Sequence, residues 1–254
     1  LERFIKTPNL PQGNVSLAAV DGRINSEIEK QFNKLNIRLI KTEKIDTYDA
    51  ISYHPDIMLH HIGEDKIVVP PNIPNKLYYE LEKEGFKLII GKKAVGYQYP
   101  DDVAYNVARI GKWAVCNKRF TDEILLDELV KSEIDIIDVK QGYSKCSIAI
   151  IAQNSVITSD KGIAKKMVQN LLDVLLIQAG FIELKGLNHG FIGGACGFVS
   201  QDKLAFYGNL RFHPDESNIR RFMSKYGIYC LELSETNLID YGTIIPLKEY
   251  SILK

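Results

Sequence analysis

The stretch KIVVPPNIPNKLYYELEKEGFKLII, residues 66–90, decides the fold. A short β-branched run, Lys66–Val69, meets a Pro-Asn-Ile-Pro turn. A helical pattern follows over Asn75–Glu84, Gly85 stops it, and Phe86–Ile90 reads as a second strand. The polar turn Tyr99-Pro100-Asp101-Asp102 then leads into another apolar run, Val103–Ala108. Strand, helix, strand, polar turn and closing strand make one unit.

The same order recurs on both sides. Upstream lie Val15–Val20, a helix over Ser26–Leu35, Ile37–Ile40 and Ile57–Leu59. The third unit has Trp113–Cys116, a helix over Asp122–Val130 behind Thr121, then Ile134–Val139 and Ser147–Ile151. The fourth has Ser155–Thr158, the longest predicted helix, Lys161–Gln178, a stop at Gly180, then Phe181–Leu184 and Cys196–Val199. The fifth has Lys203–Tyr207, Glu216–Tyr226, Ile228–Leu233 and Gly242–Leu247. The starts Val15, Lys66, Trp113, Val156 and Leu204 recur every 43 to 51 residues. This predicts a single domain, 1–254, of units 13–63, 64–110, 111–153, 154–200 and 201–250.

One amphipathic helix and a few short strands cannot hide their own apolar face. Arranging five units around an axis solves that problem. The predicted fold is therefore α/β, a five-unit pseudo-symmetric propeller with helices outside and short strands around a central axis. An open doubly wound sheet competes, because strand–helix–strand order fits it too. The second strand after each helix favours the ring.

Composition narrows the function classes. Apolar residues make up 45% and charged residues 25%, which fits a packed core and not a disordered chain. Thirty-two basic residues offset thirty-two acidic ones, with no basic run. Nothing in that balance supports a general grip on nucleic acid or anionic membrane. Leu171–Phe181 comes nearest to a membrane span, but it is too short to cross a bilayer and is broken by Asp173, Gln178 and Gly180. The first residues, Leu1–Lys6, have no apolar run behind them and do not read as a signal peptide. Cys116, Cys146, Cys196 and Cys230 lack CxxC spacing and are expected as free thiols in a cytoplasmic protein. The Lys161–Gln178 helix carries a wide apolar face, Ile163, Met167, Leu171 and Val174 among it, to be buried in the core or used as a homodimer contact.

The polar turns before the closing strands are where a site belongs. In a ring of five units they converge at one end of the axis, which brings Asp56, Asp102, Lys145, His189 and Asp240 towards a common pocket. His60, Asn106 and Cys146 lie slightly further along. The carboxylates suit a cationic group such as a guanidinium, or else the exposed backbone N–H groups of the turns. Cys146 is read at the start of a strand, where Lys145 and Cys146 point to opposite sides. Cys196 sits in the turn Gly193-Gly194-Ala195-Cys196-Gly197, which either offers backbone donors to an anion or packs two backbones closely. His54, His60 and His61 with Asp56 are close in sequence. His60 and His61 diverge on an extended strand, however, and Pro55 breaks the parity of His54 and His60. No metal and no cofactor are expected.

The five β–helix–β units with polar turns before their closing strands resemble the pentein propeller superfamily over residues 13–250. Its members include the guanidino-group-modifying enzymes, arginine and agmatine deiminases among them, and the ribosome anti-association factor of the same fold. The resemblance implies carboxylates at the first closing turns, which Asp56 and Asp102 match, and a histidine at the fourth, which His189 matches. The acidic residue usual two places after that histidine is Phe191 here. The nucleophilic cysteine implied at the fifth turn is missing from Leu238–Ile244, where Thr243 is no equivalent without a strong base beside it. The expected function is therefore small cationic or guanidino ligand binding, or a divergent enzyme with a relocated thiol (Cys146 or Cys196) or a water. A non-enzymatic interaction protein is the remaining alternative.

Overall fold

In the computed structural model, residues 1–251 are described. The chain opens with β1 (Glu2–Phe4), β2 (Asn14–Val20), α1 (Ser26–Lys34), β3 (Arg38–Lys41), the short helix α2 (Pro55–Met58) and β4 (His60–Gly63). Next come β5 (Lys66–Val69), α3 (Asn75–Lys83), β6 (Lys87–Ile90) and β7 (Ala108–Ile110). They are followed by β8 (Trp113–Cys116), α4 (Glu123–Lys131), β9 (Asp135–Asp138), the short helix α5 (Ser144–Ser147) and β10 (Ile148–Ala152). Then follow β11 (Ser155–Thr158), α6 (Lys161–Gln169), β12 (Asp173–Leu176) and β13 (Cys196–Ser200). The chain closes with β14 (Lys203–Phe206), α7 (Glu216–Lys225), β15 (Tyr229–Glu232) and β16 (Ile245–Tyr250).

The five main helices share one local design. Each buries an i, i+4 pair: Ile28 and Phe32, Leu77 and Leu81, Leu125 and Leu129, Ile163 and Met167, Ile219 and Met223. Asn25, Asp122 and Asp160 cap their helices through side-chain oxygens, so Asp122 takes the role expected of Thr121. All five helices end on a left-handed residue, Asn36, Gly85, Glu133, Leu171 or Gly227. The next N–H then reaches back to the buried i+4 residue, as in Ile37 to Phe32 O and Leu172 to Met167 O.

That stop corrects the fourth helix. It ends at Gln169, not Gln178, and Asp173–Leu176 is strand β12 paired parallel to β11. Leu171 supplies the turn at φ +63°, a conformation that disfavours a bulky L-residue, so no glycine marks the end in the sequence. The continuous apolar face proposed for homodimer contact therefore does not exist. Its residues divide between a helix, a turn and a strand, and Leu171 is 90% exposed. Leu171→Gly is expected to raise stability by about 0.5–1 kcal/mol in urea unfolding, since glycine meets that φ without strain.

The strands are divided among small sheets, which excludes one doubly wound sheet. Three sheets have the orders β4-β5-β6, β7-β8-β9 and β10-β11-β12, each with one antiparallel and one parallel pairing. The seven-stranded sheet holds two more triplets of the same kind, β16-β2-β3 and β13-β14-β15, joined by the single pairing Ser200–Asn14. The closing strand of each unit thus pairs with the opening strand of the next, and β16 pairs with β2.

Four closing strands begin later than expected: β4 at His60 and not Ile57, β7 at Ala108 and not Val103, β10 at Ile148 and not Ser147, and β16 at Ile245 and not Gly242. Pro55–Met58 and Ser144–Ser147 are helical turns, and strands follow them. Phe181–Leu184 forms no strand beyond the isolated bridge Glu183–Ile239. Among the described residues, no helix is long and apolar enough to cross a membrane.

Candidate functional site

The two short helices position the centre of the site. Asn106, ahead of β7, turns its Oδ1 to the N–H groups of Lys145 (2.8 Å) and Cys146 (3.3 Å) and holds the first turn of α5. Its Nδ2 donates to Asp56 O (3.2 Å) in α2 and to Cys146 Sγ (3.1 Å). One amide side chain therefore ties together segments from three units. Cys146 lies in a helical turn and not at a strand start, so strand alternation does not separate it from Lys145.

Asp56 is the hub. Its Oδ2 accepts from Cys146 Sγ at 3.0 Å and lies 2.8 Å from Thr243 Oγ1. Thr243 Oγ1 is also 2.8 Å from Gly193 O and accepts from Lys145 Nζ at 3.2 Å. Asp56, Asn106, Lys145 and Cys146 are all buried and joined by these bonds. Asp240 is buried beside them, with Oδ2 on Phe191 N–H and Oδ1 on Gly242 N–H, both at 2.9 Å. His54 Nδ1 approaches Asp240 Oδ1 at 3.9 Å. Burial holds His54 neutral, its pKa pushed down to about 3, so that approach is not an ion pair.

The other expected residues go elsewhere. Asp102 accepts from Tyr143 OH at 2.6 Å, and Tyr48 OH lies 2.8 Å from Tyr143 OH. His189 is exposed, with Nδ1 3.1 Å from Gly190 O and its ring edge-on to Phe191. Cys196 is buried and directs Sγ to Ile192 O at 3.2 Å. Its glycine-rich turn packs backbones closely: a Cβ at Gly193 would sit 2.3 Å from Lys145 O, and one at Gly197 2.1 Å from Ile244 O. In the sequence His54 groups with His60, His61 and Asp56, a set discounted there because Pro55 breaks the strand parity of His54 and His60. The fold brings His54 beside Asp240.

Electrostatics sets what this cluster can do. Burial raises Asp56 to about 6, and burial together with Asp56 raises Asp240 to about 7. Lys145 is pushed down by burial. The Cys146 thiol is pushed well up by burial and by both carboxylates. The thiol is the form present near neutral pH, while the thiolate is the nucleophile. Lys145 lines cavities of only about 10 and 20 Å³, each about the size of one water. Ligand-sized space opens on the Asp240 side, in a cleft of about 580 Å³ lined by Arg23, Ala50, Glu183, Asn188, Asp240 and Tyr241 among others.

Solved structures that superpose on this chain include two amidinotransferases and an agmatine deiminase. The amidinotransferase of the saxitoxin pathway from Microseira wollei superposes with a TM-score of 0.57 at 11% identity, over 93% of this chain and 96% of that one. The inosamine-phosphate amidinotransferase of Streptomyces griseus gives 0.59 at 13% identity over 98% of each. The agmatine deiminase of C. jejuni gives 0.57 at 10% identity over 92% and 91%. At these identities the likeness concerns the fold, which is a divergent pentein fold. No curated protein sequence matches. A sequence-family model matches residues 19–245, and by that match the chain belongs to the family of unknown function DUF6873.

Proposed function

We propose that this protein binds a small cationic compound of the guanidino class non-covalently, with Asp240 as its anchor. The observation that carries the reading is that Asp240 belongs both to the ligand-sized cleft and to the buried polar centre. Arg23 at the cleft wall is already matched by Asp21 at 2.6 Å, so its charge does not oppose an incoming cation. Glu183 adds a second carboxylate to the lining. The superposed agmatine deiminase and amidinotransferases motivate the guanidino class. The five strand triplets are read as blades of one ring in a single domain, with Asp56, Asn106, Lys145 and Asp240 around its axis and Asp102 at the rim. His189 and Cys196 enter this reading only as neighbours of the Asp240 segment.

Covalent catalysis through Cys146 is the weaker reading, because a protonated, enclosed thiol has no ligand-sized space beside it. Calorimetric titration with agmatine and arginine, against uncharged citrulline, tests the proposal. Asp240→Asn is expected to weaken agmatine binding about 10–100-fold, the loss of one charge-assisted hydrogen bond. A cation favours the ionised carboxylate, so wild-type affinity should rise as pH passes upward through about 7. Equal binding of citrulline, or no binding of either cation, would sink the proposal.

A further inference from the structure

The geometry points to a binding site for a zinc-type divalent metal formed by His54, Asp56 and Cys146. One ligand atom from each lies within 4.8 Å of the other two, and all three residues are buried. Among the described residues this is the one such cluster of three or more donors.

Unmet bonding capacity marks the place. Both ring nitrogens of His54 and Oδ1 of Asp56 are buried without a hydrogen-bond partner. Each such orphan loses its water without gaining a partner, so a native core that keeps three in one place calls for an explanation. A metal ion would satisfy these atoms together. Imidazole, carboxylate and thiolate form a nitrogen, oxygen and sulfur set that suits zinc, while calcium and magnesium take all-oxygen shells.

The surroundings already orient the donors. Asn106 Nδ2 donates to Cys146 Sγ, and Thr243 Oγ1 lies against Asp56 Oδ2. Outer partners of this kind fix the direction of metal ligands. At present the thiol proton bridges Cys146 Sγ and Asp56 Oδ2 at 3.0 Å. On binding, the metal–sulfur bond replaces the S–H bond, and the proton leaves to solvent. Charge also balances: the Asp56 and Asp240 carboxylates and the Cys146 thiolate are offset by Lys145 and a dication. Asp240 lies 3.9 Å from His54 and also lines the cleft.

This site is independent of the guanidino reading, since its ligand atoms lie behind Asp240 and not in the cleft. The test is titration of chelator-treated full-length protein with Co²⁺, followed by the thiolate-to-cobalt charge-transfer band, and with Zn²⁺ by calorimetry. One equivalent of each is expected to bind. Cys146→Ser should abolish the band and weaken Zn²⁺ by more than the roughly 10–100-fold that loss of an outer partner costs. Cys196→Ser should keep both signals. Asp56→Asn supplies a second variant should Cys146→Ser fail to fold, and it too should weaken Zn²⁺. Absence of stoichiometric binding, or an unchanged band in Cys146→Ser, would overturn the site.

Discussion

Gly193→Ala is expected to lower stability by about 3 kcal/mol or more, near the upper end for a single added methyl. The new Cβ would stand 2.3 Å from Lys145 O, 2.4 Å from Ile148 O and 2.6 Å from Cys146 O. All three atoms are backbone, so no side-chain rotation relieves the contact. Either the Gly193 turn or α5 must move, and α5 carries both Lys145 and Cys146. Thr243 would lose its place as well, since its hydroxyl lies on Gly193 O. The damage thus reaches the polar centre through the backbone. Gly162→Ala is the control: it lies in α6, and its Cβ would meet only Asp160 Oδ1, at 3.1 Å. That change should cost nothing or stabilise by up to about 1 kcal/mol. Urea unfolding of both variants measures the difference directly. A Gly193→Ala loss below about 1 kcal/mol would show that the turn is not held against α5.

Local signals made the strand–helix–strand order legible. Gly85 and Gly227 stand at left-handed helix ends, and the buried i, i+4 pairs are apolar in all five main helices. Where a local signal was missing, the reading failed. Leu171 takes the conformation that Asn36 and Gly85 take, yet nothing in a leucine announces it. The neighbouring apolar residues then extended the helix by nine positions into β12. The short helices α2 and α5 were lost for another reason. Asn106, 39 residues before Lys145, holds α5 by accepting its first N–H groups, and only the folded chain brings the two together. The same holds at the centre. The repeat placed Asp56, Lys145 and Asp240 at equivalent turns, but the Cys146–Asp56 bond joins residues 90 apart and the Thr243–Asp56 contact joins residues 187 apart. Periodicity can point to a shared axis; it cannot show which side chains touch there. His189 illustrates the limit, since its turn is equivalent by count while its ring is exposed to solvent.

Iodoacetamide should label Cys146 in the native protein at least about 100-fold more slowly than in an unfolded control at pH 8. The reagent attacks the thiolate, and each unit of raised pKa removes about nine-tenths of that form. Cys146 is pushed well up by burial, with Asp56 and Asp240 adding to the effect, and it has no open path. Burial also raises Cys196 to about 12 and Cys116 to about 11, and it pushes half-buried Cys230 up as well. All four should therefore be slow, with rates still rising through pH 9 and no earlier plateau. Agmatine bound in the cleft would leave the Cys146 rate unchanged, because the thiol lies behind Asp240. The competing mechanism makes the opposite demand. A relocated nucleophile must ionise below the free-thiol value of about 8.5 and must be shielded by its substrate. A labelling plateau for Cys146 below that pH, removed by agmatine, would overturn the binding reading and assign the chemistry to α5. A rate that follows only global unfolding would leave Cys146 as a protonated thiol, whose proton a bound metal would displace to solvent.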